Sequence, residues 1–210
     1  MPIKLNGQTS GSVQLDVPAA VSGGDVSLTL PNGTGSANQY LANGSTAGEL
    51  TFVTPPGSFT SYAIICDKKA YNENGGTFTS GAYRTRALQT EITDVDNIVS
   101  IANDQFTLPN AGNYLIKWSC PARQVSRHHT QLYNITDSQT VEFGTTEVNS
   151  NASSIETRSF GSARVSITGS TVFEIQHRGQ YTKTTSGFGI NTDISGADSI
   201  YTIVEIFKEA

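Results

Sequence analysis

The chain has 210 residues, of which 36% are hydrophobic and 15% charged, and its formal net charge is -5. An acidic balance without a basic stripe argues against a general nucleic-acid role, because phosphate binding needs clustered cations. Twenty glycines with frequent Ser, Thr and Asn suit a turn-rich β protein and exclude a helical one, while the apolar alternations below exclude a disordered chain.

The length allows one or two domains. No apolar run approaches the roughly 20 residues of a membrane helix, so no membrane insertion is expected. Met1-Pro2-Ile3-Lys4 is followed by no apolar segment, so no signal peptide is expected. Cys66 and Cys120 could pair. Buried free thiols are the expected state for a chain made in a reducing cytoplasm. Neither cysteine sits in a metal-binding spacing, and no cofactor is expected.

Residues 12–18, 25–31 and 49–55 are short alternating runs, closed by Pro18, Pro31 and Pro55. Val13, Leu15 and Val17 share a face in the first, and Val26, Leu28 and Leu30 share one in the second. Proline cannot donate to a ladder, so each ends its strand. Residues 32–38 and 43–48 are turn chemistry. Short strands with one apolar face each cannot offset chain entropy alone. The segment is therefore expected to pack on copies of itself or on another protein; the alternative is a floppy leader. Residues 54–58 hold two prolines and a glycine and read as a boundary. The expected division is an N-terminal β anchor or stem over 1–57 and a head over 60–210.

From residue 61 strands and turns alternate regularly. Residues 62–66 are apolar throughout and read as central. Residues 82–93 alternate, with Leu88 and Ile92 as anchors. Residues 98–101 and 105–108 follow, and the second is closed by Pro109. In residues 113–120, Tyr114, Ile116, Trp118 and Cys120 form the core face, opposite Leu115, Lys117 and Ser119. Residues 130–135 and 140–143 flank a turn and read as a hairpin. Residues 155–168, with Val165 and Ile167, and residues 171–177 continue the series. A polar, Gly-rich stretch over 181–196 leads to the last strand. There Ile200, Thr202, Val204 and Ile206 lie opposite Tyr201, Ile203, Glu205 and Phe207, so the strand needs cover on both sides, as in the middle of a β-sandwich. Eight or more strands with regular turns predict an all-β double-sheet jelly roll. Trp118, Phe173, Tyr201 and Phe207 are the expected packing aromatics.

Three blocks carry a resemblance. Phe106-Thr-Leu-Pro-Asn-Ala-Gly-Asn-Tyr114, Gly169-Ser-Thr-Val-Phe-Glu-Ile175 and Ser199-Ile-Tyr-Thr-Ile-Val-Glu-Ile-Phe207 resemble, in order and spacing, the globular head of complement first component and its relatives. The resemblance covers roughly residues 60–210 and implies a tumour-necrosis-factor-like jelly roll assembled as a homotrimer. That family's acidic calcium loop is not evident, so no metal is carried over. Gly76-Thr-Phe-Thr-Ser-Gly-Ala-Tyr-Arg-Thr-Arg86, His129-Thr-Gln-Leu-Tyr-Asn-Ile-Thr-Asp137 and Phe173-Glu-Ile-Gln-His177 look like blocks of phage virion proteins. Leu28-Thr-Leu-Pro-Asn-Gly-Thr-Gly-Ser-Ala-Asn-Gln-Tyr-Leu41 resembles the N-terminal segment of phage fibre proteins, notably those of marine phages. This implies a particle-surface protein, a fibre or capsid decoration, made in the host cytoplasm and partnered by a capsid or tail protein of the same virion.

Arg84, Arg86, Arg123, Arg127, His128, His129, Arg158, Arg164, His177 and Arg178 form the clearest polar set. The functional reading is a carbohydrate or anionic-polymer site, with Arg forks on carboxylates or phosphates. The structural reading is ion pairs with Glu91, Glu142, Glu156 or Glu174, or contacts between subunits. His128 and His129 are adjacent and point to opposite faces of a strand, so they cannot jointly hold a metal. No nucleophile elbow or phosphate loop is present, and Asp94 and Asp96 read as solvated turn acids, so an enzyme is not expected. A depolymerase would need a long β-helix, for which there is no repeat. Arg178, Tyr181, Lys183 and Phe188 form the candidate ligand-contact loop; the alternative packs Phe188 and Ile190 onto the core. The expected function is a non-enzymatic homotrimeric virion structural protein. The alternative is a tail-borne receptor-binding adhesin that recognises a host-surface glycan.

Overall fold

The computed structural model describes residues 3–6, 12–15, 28–37, 39–46, 48–55 and 58–210. The chain divides into two compact units, Met1–Pro55 and Pro56–Ala210.

The first unit holds two hairpins. β1 (Ile3–Asn6) pairs with β2 (Ser12–Leu15). β3 (Tyr40–Asn43) pairs with β4 (Leu50–Val53), with Tyr40 opposite Val53. Thr29 bridges to Glu49: its N–H donates to the Gly48 carbonyl (2.8 Å), and its carbonyl accepts from the Leu50 N–H (2.9 Å). Of the expected anchor residues, Val13 and Leu15 fall in β2, while Val17 and Val26 lie outside the described residues. Leu28 and Leu30 are 65% and 67% exposed. A continuous strand was expected around them; among the described residues 28–31 only the Thr29 bridge forms. β3 was not foreseen, because Tyr40-Leu-Ala-Asn43 has no clear alternation.

The second unit is all-β. Its strands are β5 (Phe59–Lys69), β6 (Arg84–Thr85), β7 (Thr90–Thr93), β8 (Ser100–Ala102), β9 (Gln105–Leu108) and β10 (Gly112–Arg123). They continue with β11 (Arg127–Asn134), β12 (Gln139–Phe143), β13 (Glu147–Val148), β14 (Glu156–Ile167), β15 (Thr171–Gly179) and β16 (Ser199–Glu209). One sheet runs β14-β10-β16-β5-β7; the other runs β12-β11-β15-β9-β8, with β13 beside β11 and β6 beside β15. All strand pairs are antiparallel. From β9 onward the chain crosses between the sheets, β9 to β10, β10 to β11, β13 to β14, β14 to β15 and β15 to β16. This swapping closes a double-sheet jelly roll.

Apolar alternation builds the core between the sheets. In β10, Tyr114, Ile116, Trp118 and Cys120 are buried, as expected from the sequence. They meet Ala63, Ile65, Val204 and Ile206 of the same sheet and Phe106, Leu132, Phe173 and Ile175 of the other. Trp118 fits because Gly161 lies against its ring: a Cβ there would sit 1.9 Å from an indole carbon. The indole N–H donates to Thr130 Oγ1 (2.7 Å), so its one polar group is satisfied.

The last strand occupies the centre of the five-stranded sheet, as its two apolar faces demand. Its alternation breaks once. The pairing with β5 shifts between Ile200 and Ile203. Ile200 is consequently exposed, while Tyr201 is buried and donates to the Glu73 carbonyl (2.6 Å). Phe207 faces outward and is half-buried, in contact with Phe59 (ring centroids 5.0 Å), so of the four expected aromatics Trp118, Phe173 and Tyr201 are buried and Phe207 is not. Ile92 is also exposed; residues 86–89 between β6 and β7 are not strand, and only Leu88 of the expected pair is buried. Both cysteines are free and buried, and burial raises both thiols.

Candidate functional site

The two faces of the five-stranded sheet differ. The inner face is core. On the outer face the register sets three cross-strand rows. Tyr62, Phe207, Leu115 and Arg164 form one. Ile64, Glu205, Lys117 and Ser162 form the next, and Ile203, Ser119 and Phe160 the third. Two largely apolar rows thus flank a row carrying one acid and one base. Tyr62 and Phe160 are each 52% exposed, and Phe59 extends the first row. Arg164 is held by Glu209 through two parallel N–H donations (Nε to Oε1 2.8 Å, Nη2 to Oε2 2.7 Å). Beside Phe160 an open cleft of about 710 Å³ is bounded by Phe143, Thr145, Ile203 and Lys117. The segment after β12 makes its far wall. Thr145 N–H donates to the Phe160 carbonyl (2.6 Å), and Phe160 N–H donates to Thr145 Oγ1 (2.9 Å).

The arginine and histidine set is sorted by the sandwich into three groups. Arg86 is fully buried at one end, where it donates to Thr202 Oγ1 (2.9 Å), the Pro121 carbonyl (3.2 Å) and the Phe188 carbonyl (3.0 Å). Burial lowers its pKa. His128 and His177 are buried beside it, with His128 Nδ1 2.9 Å from His177 Nε2 and His128 Nε2 2.8 Å from Thr157 Oγ1. His177 Nδ1 has no hydrogen-bond partner. The arrangement that fits is His177 Nε2–H donating to His128 Nδ1, with His128 Nε2–H donating to Thr157. It leaves only a bare lone pair unmatched. Burial, then the nearby Arg86 charge, holds His128 down to about 4 and His177 well below its usual range.

The second group is structural. Arg84 donates to the Thr79 carbonyl, Arg123 to Ser186 and Ser154, and Arg158 to Ser119 and the Tyr201 carbonyl. Among the described residues the ion pairs are Lys68–Asp198, Lys69–Asp67 and Arg164–Glu209. None involves Glu91, Glu142, Glu156 or Glu174. The expected pairing with those acids is replaced by hydrogen bonds to hydroxyls and carbonyls. Asp94 accepts from the Ile98 and Val99 N–H groups (2.9 Å each), so it orders its turn.

The third group faces outward. His129, on the opposite face from His128, lies between Tyr83 and Phe143, with ring centroids 5.7 and 5.6 Å away. Tyr83 Oη is 2.8 Å from His129 Nε2, and the Arg178 guanidinium stands 5.7 Å over the Tyr83 ring.

The structure separates the four residues of the candidate contact loop. Arg178 joins the His129 group. Tyr181 is exposed, and Lys183 is held by paired backbone hydrogen bonds to Phe78 (2.9 Å each). Phe188 packs on Phe78 (5.0 Å) and under the Arg86 guanidinium (4.2 Å), which leaves little of its ring for an outside ligand. Ile190 is exposed. Tyr83, Phe143 and Phe160, which carry both surfaces, escaped the sequence reading. Phe143 ends β12 and Phe160 lies on the outward face of β14, positions that apolar alternation does not single out.

No family model and no curated protein matches the chain. The chain is similar to several solved structures. The globular domain of zebrafish complement 1qA is 12% identical with a TM-score of 0.44, covering 71% of this chain and 97% of its own. The Eiger TNF of S. frugiperda is 9% identical with a TM-score of 0.48, covering 73% and 94%. Murine APRIL is 9% identical with a TM-score of 0.43, covering 70% and 98%.

Proposed function

We propose that this chain is a non-enzymatic homotrimeric structural protein displayed on a bacterial-virus particle, with the outer face of the five-stranded sheet as its trimer contact. The observation that carries the assembly is that face: two aromatic and aliphatic rows, Tyr62-Phe207-Leu115 and Ile203-Phe160, flank the Glu205–Lys117 row, with Tyr62 and Phe160 exposed and Phe207, Leu115 and Ile203 half-buried. Contiguous apolar surface of this kind marks an interaction site, and a single acid and base within it set register. The particle assignment is supported by the resemblance of residues 28–41, 76–86 and 129–137 to virion blocks. The anchor role of residues 1–57 is supported by the exposed leucines 28 and 30, which offer apolar surface to a partner.

Deletion of residues 1–57 tests the anchor. The remaining head is expected to be soluble and folded and to be absent from purified particles. A truncated head that still sediments with particles would contradict the anchor role. A second reading, a receptor-binding adhesin, is favoured by the outward arginine and aromatic group around His129.

A further inference from the structure

The His129 surface contains an open cleft of about 520 Å³, lined by Gly81, Arg127, His129, Thr146, Arg178 and Gln180 together with backbone of β11 and β15. We propose that this cleft binds a carboxylated sugar residue of a polysaccharide, with the carboxylate held between Arg127 and Arg178. The use of such a site on a displayed head rests on the adhesin reading above; the binding itself does not.

The register places the two arginines together. His129 is opposite Arg178, and Gln180 N–H donates to the Arg127 carbonyl (3.0 Å). Residues two apart on a strand share a face, so Arg127, His129, Arg178 and Gln180 form a square on the outer surface. Arg127 and Arg178 lie on its diagonal, a separation of about 7–8 Å between strands, which side chains of this length close readily on one carboxylate.

Both guanidinium groups are exposed, and neither has a hydrogen bond or ion pair among the described residues. The acid nearest in register, Glu147 opposite His128, accepts from Thr145 Oγ1 (3.0 Å). Two unneutralised cations side by side in a chain of net charge -5 need a reason beyond solubility. The rest of the cleft is neutral. Burial and the Arg178 charge hold the His129 imidazole below its usual range, so it is a neutral wall braced by Tyr83 and Phe143. Thr146 keeps a free hydroxyl among the described residues. Gln180 accepts from Ser126 Oγ (2.9 Å) and keeps its amide N–H groups. One cationic anchor ringed by neutral donors and aromatic edges matches an acidic sugar. A phosphate-rich polymer would need a longer cationic track.

The test is a calorimetric and NMR titration of the intact protein with trigalacturonate, 3′-sialyllactose and, as a neutral comparison, maltotriose. Native mass is recorded in the same buffer, so a failure of assembly is seen separately from a failure of binding. At least one acidic sugar is expected to bind, to shift the His129 and Tyr83 ring signals, and to weaken as salt rises. Maltotriose is expected not to bind. The Arg127→Gln, Arg178→Gln double variant changes only exposed side chains and should lose about tenfold or more in affinity at unchanged melting temperature. The ring signals of the unaltered protein locate the ligand even if that variant folds poorly. Absence of binding by both acidic sugars, equal binding of maltotriose, or ring signals that do not move would overturn the proposal.

Discussion

At the scale of single residues, the buried His128–His177 pair is the feature with the clearest consequence. Both rings are neutral in the fold, because burial and Arg86 disfavour a charge there. In the unfolded chain each titrates at its usual 6.5. The unfolded state therefore binds protons first as pH falls, and stability is lost with acid. For His128 the loss begins near pH 6.5, grows to about pH 4, and stops once the folded ring also protonates. A shift of this size corresponds to about 3 kcal/mol. Asp67 works in the opposite direction: burial raises its carboxyl, so the fold takes up that proton first in acid and gains stability as pH falls. Comparison with His128→Gln removes the Asp67 contribution. Urea midpoints at pH 7.5, 6 and 4.5 should fall in the unaltered protein and fall clearly less in His128→Gln. Parallel pH dependence in the two proteins would remove the histidine pair as the cause.

At the scale of elements, the outer face of the five-stranded sheet is open to direct test. Phe160 is half exposed on β14, so Phe160→Glu leaves the core intact and places a charge in the apolar Ile203–Phe160 row. Association should be lost or weakened at least tenfold, while Tyr181→Glu, exposed on the loop away from this face, should associate normally. Both are read by sedimentation over a dilution series, and equal association of the two variants would place the contact elsewhere. The strands that make this sheet were largely legible in the sequence, because β10 and β16 alternate over many residues and burial on one face enforces the period. Period two misplaced Ile200 and Tyr201, since a register shift leaves no mark in composition. It also made Phe207 a core residue, because a central strand of one sheet can be apolar on its solvent face when that face has a further partner. The outward cleft was only half legible. Arginine and histidine were counted together in the sequence, yet the fold sends Arg86, His128 and His177 inward and Arg127, His129 and Arg178 outward. That sorting depends on pairing between β11 and β15, whose partners lie 39 to 51 residues apart in sequence.

At the scale of the whole molecule, the jelly roll closes its own core, with aromatic and aliphatic side chains of both sheets fully buried. What it leaves exposed is organised: a largely apolar sheet face and a basic cleft on the other sheet. A monomer presenting both would be prone to unspecific association, whereas the proposed trimer would cover the sheet face. The most direct measurement is native mass by light scattering over a wide dilution series. Three copies of the 22.3 kDa chain, about 67 kDa, persisting on dilution are expected. A stable 22.3 kDa species at every concentration would contradict the trimer.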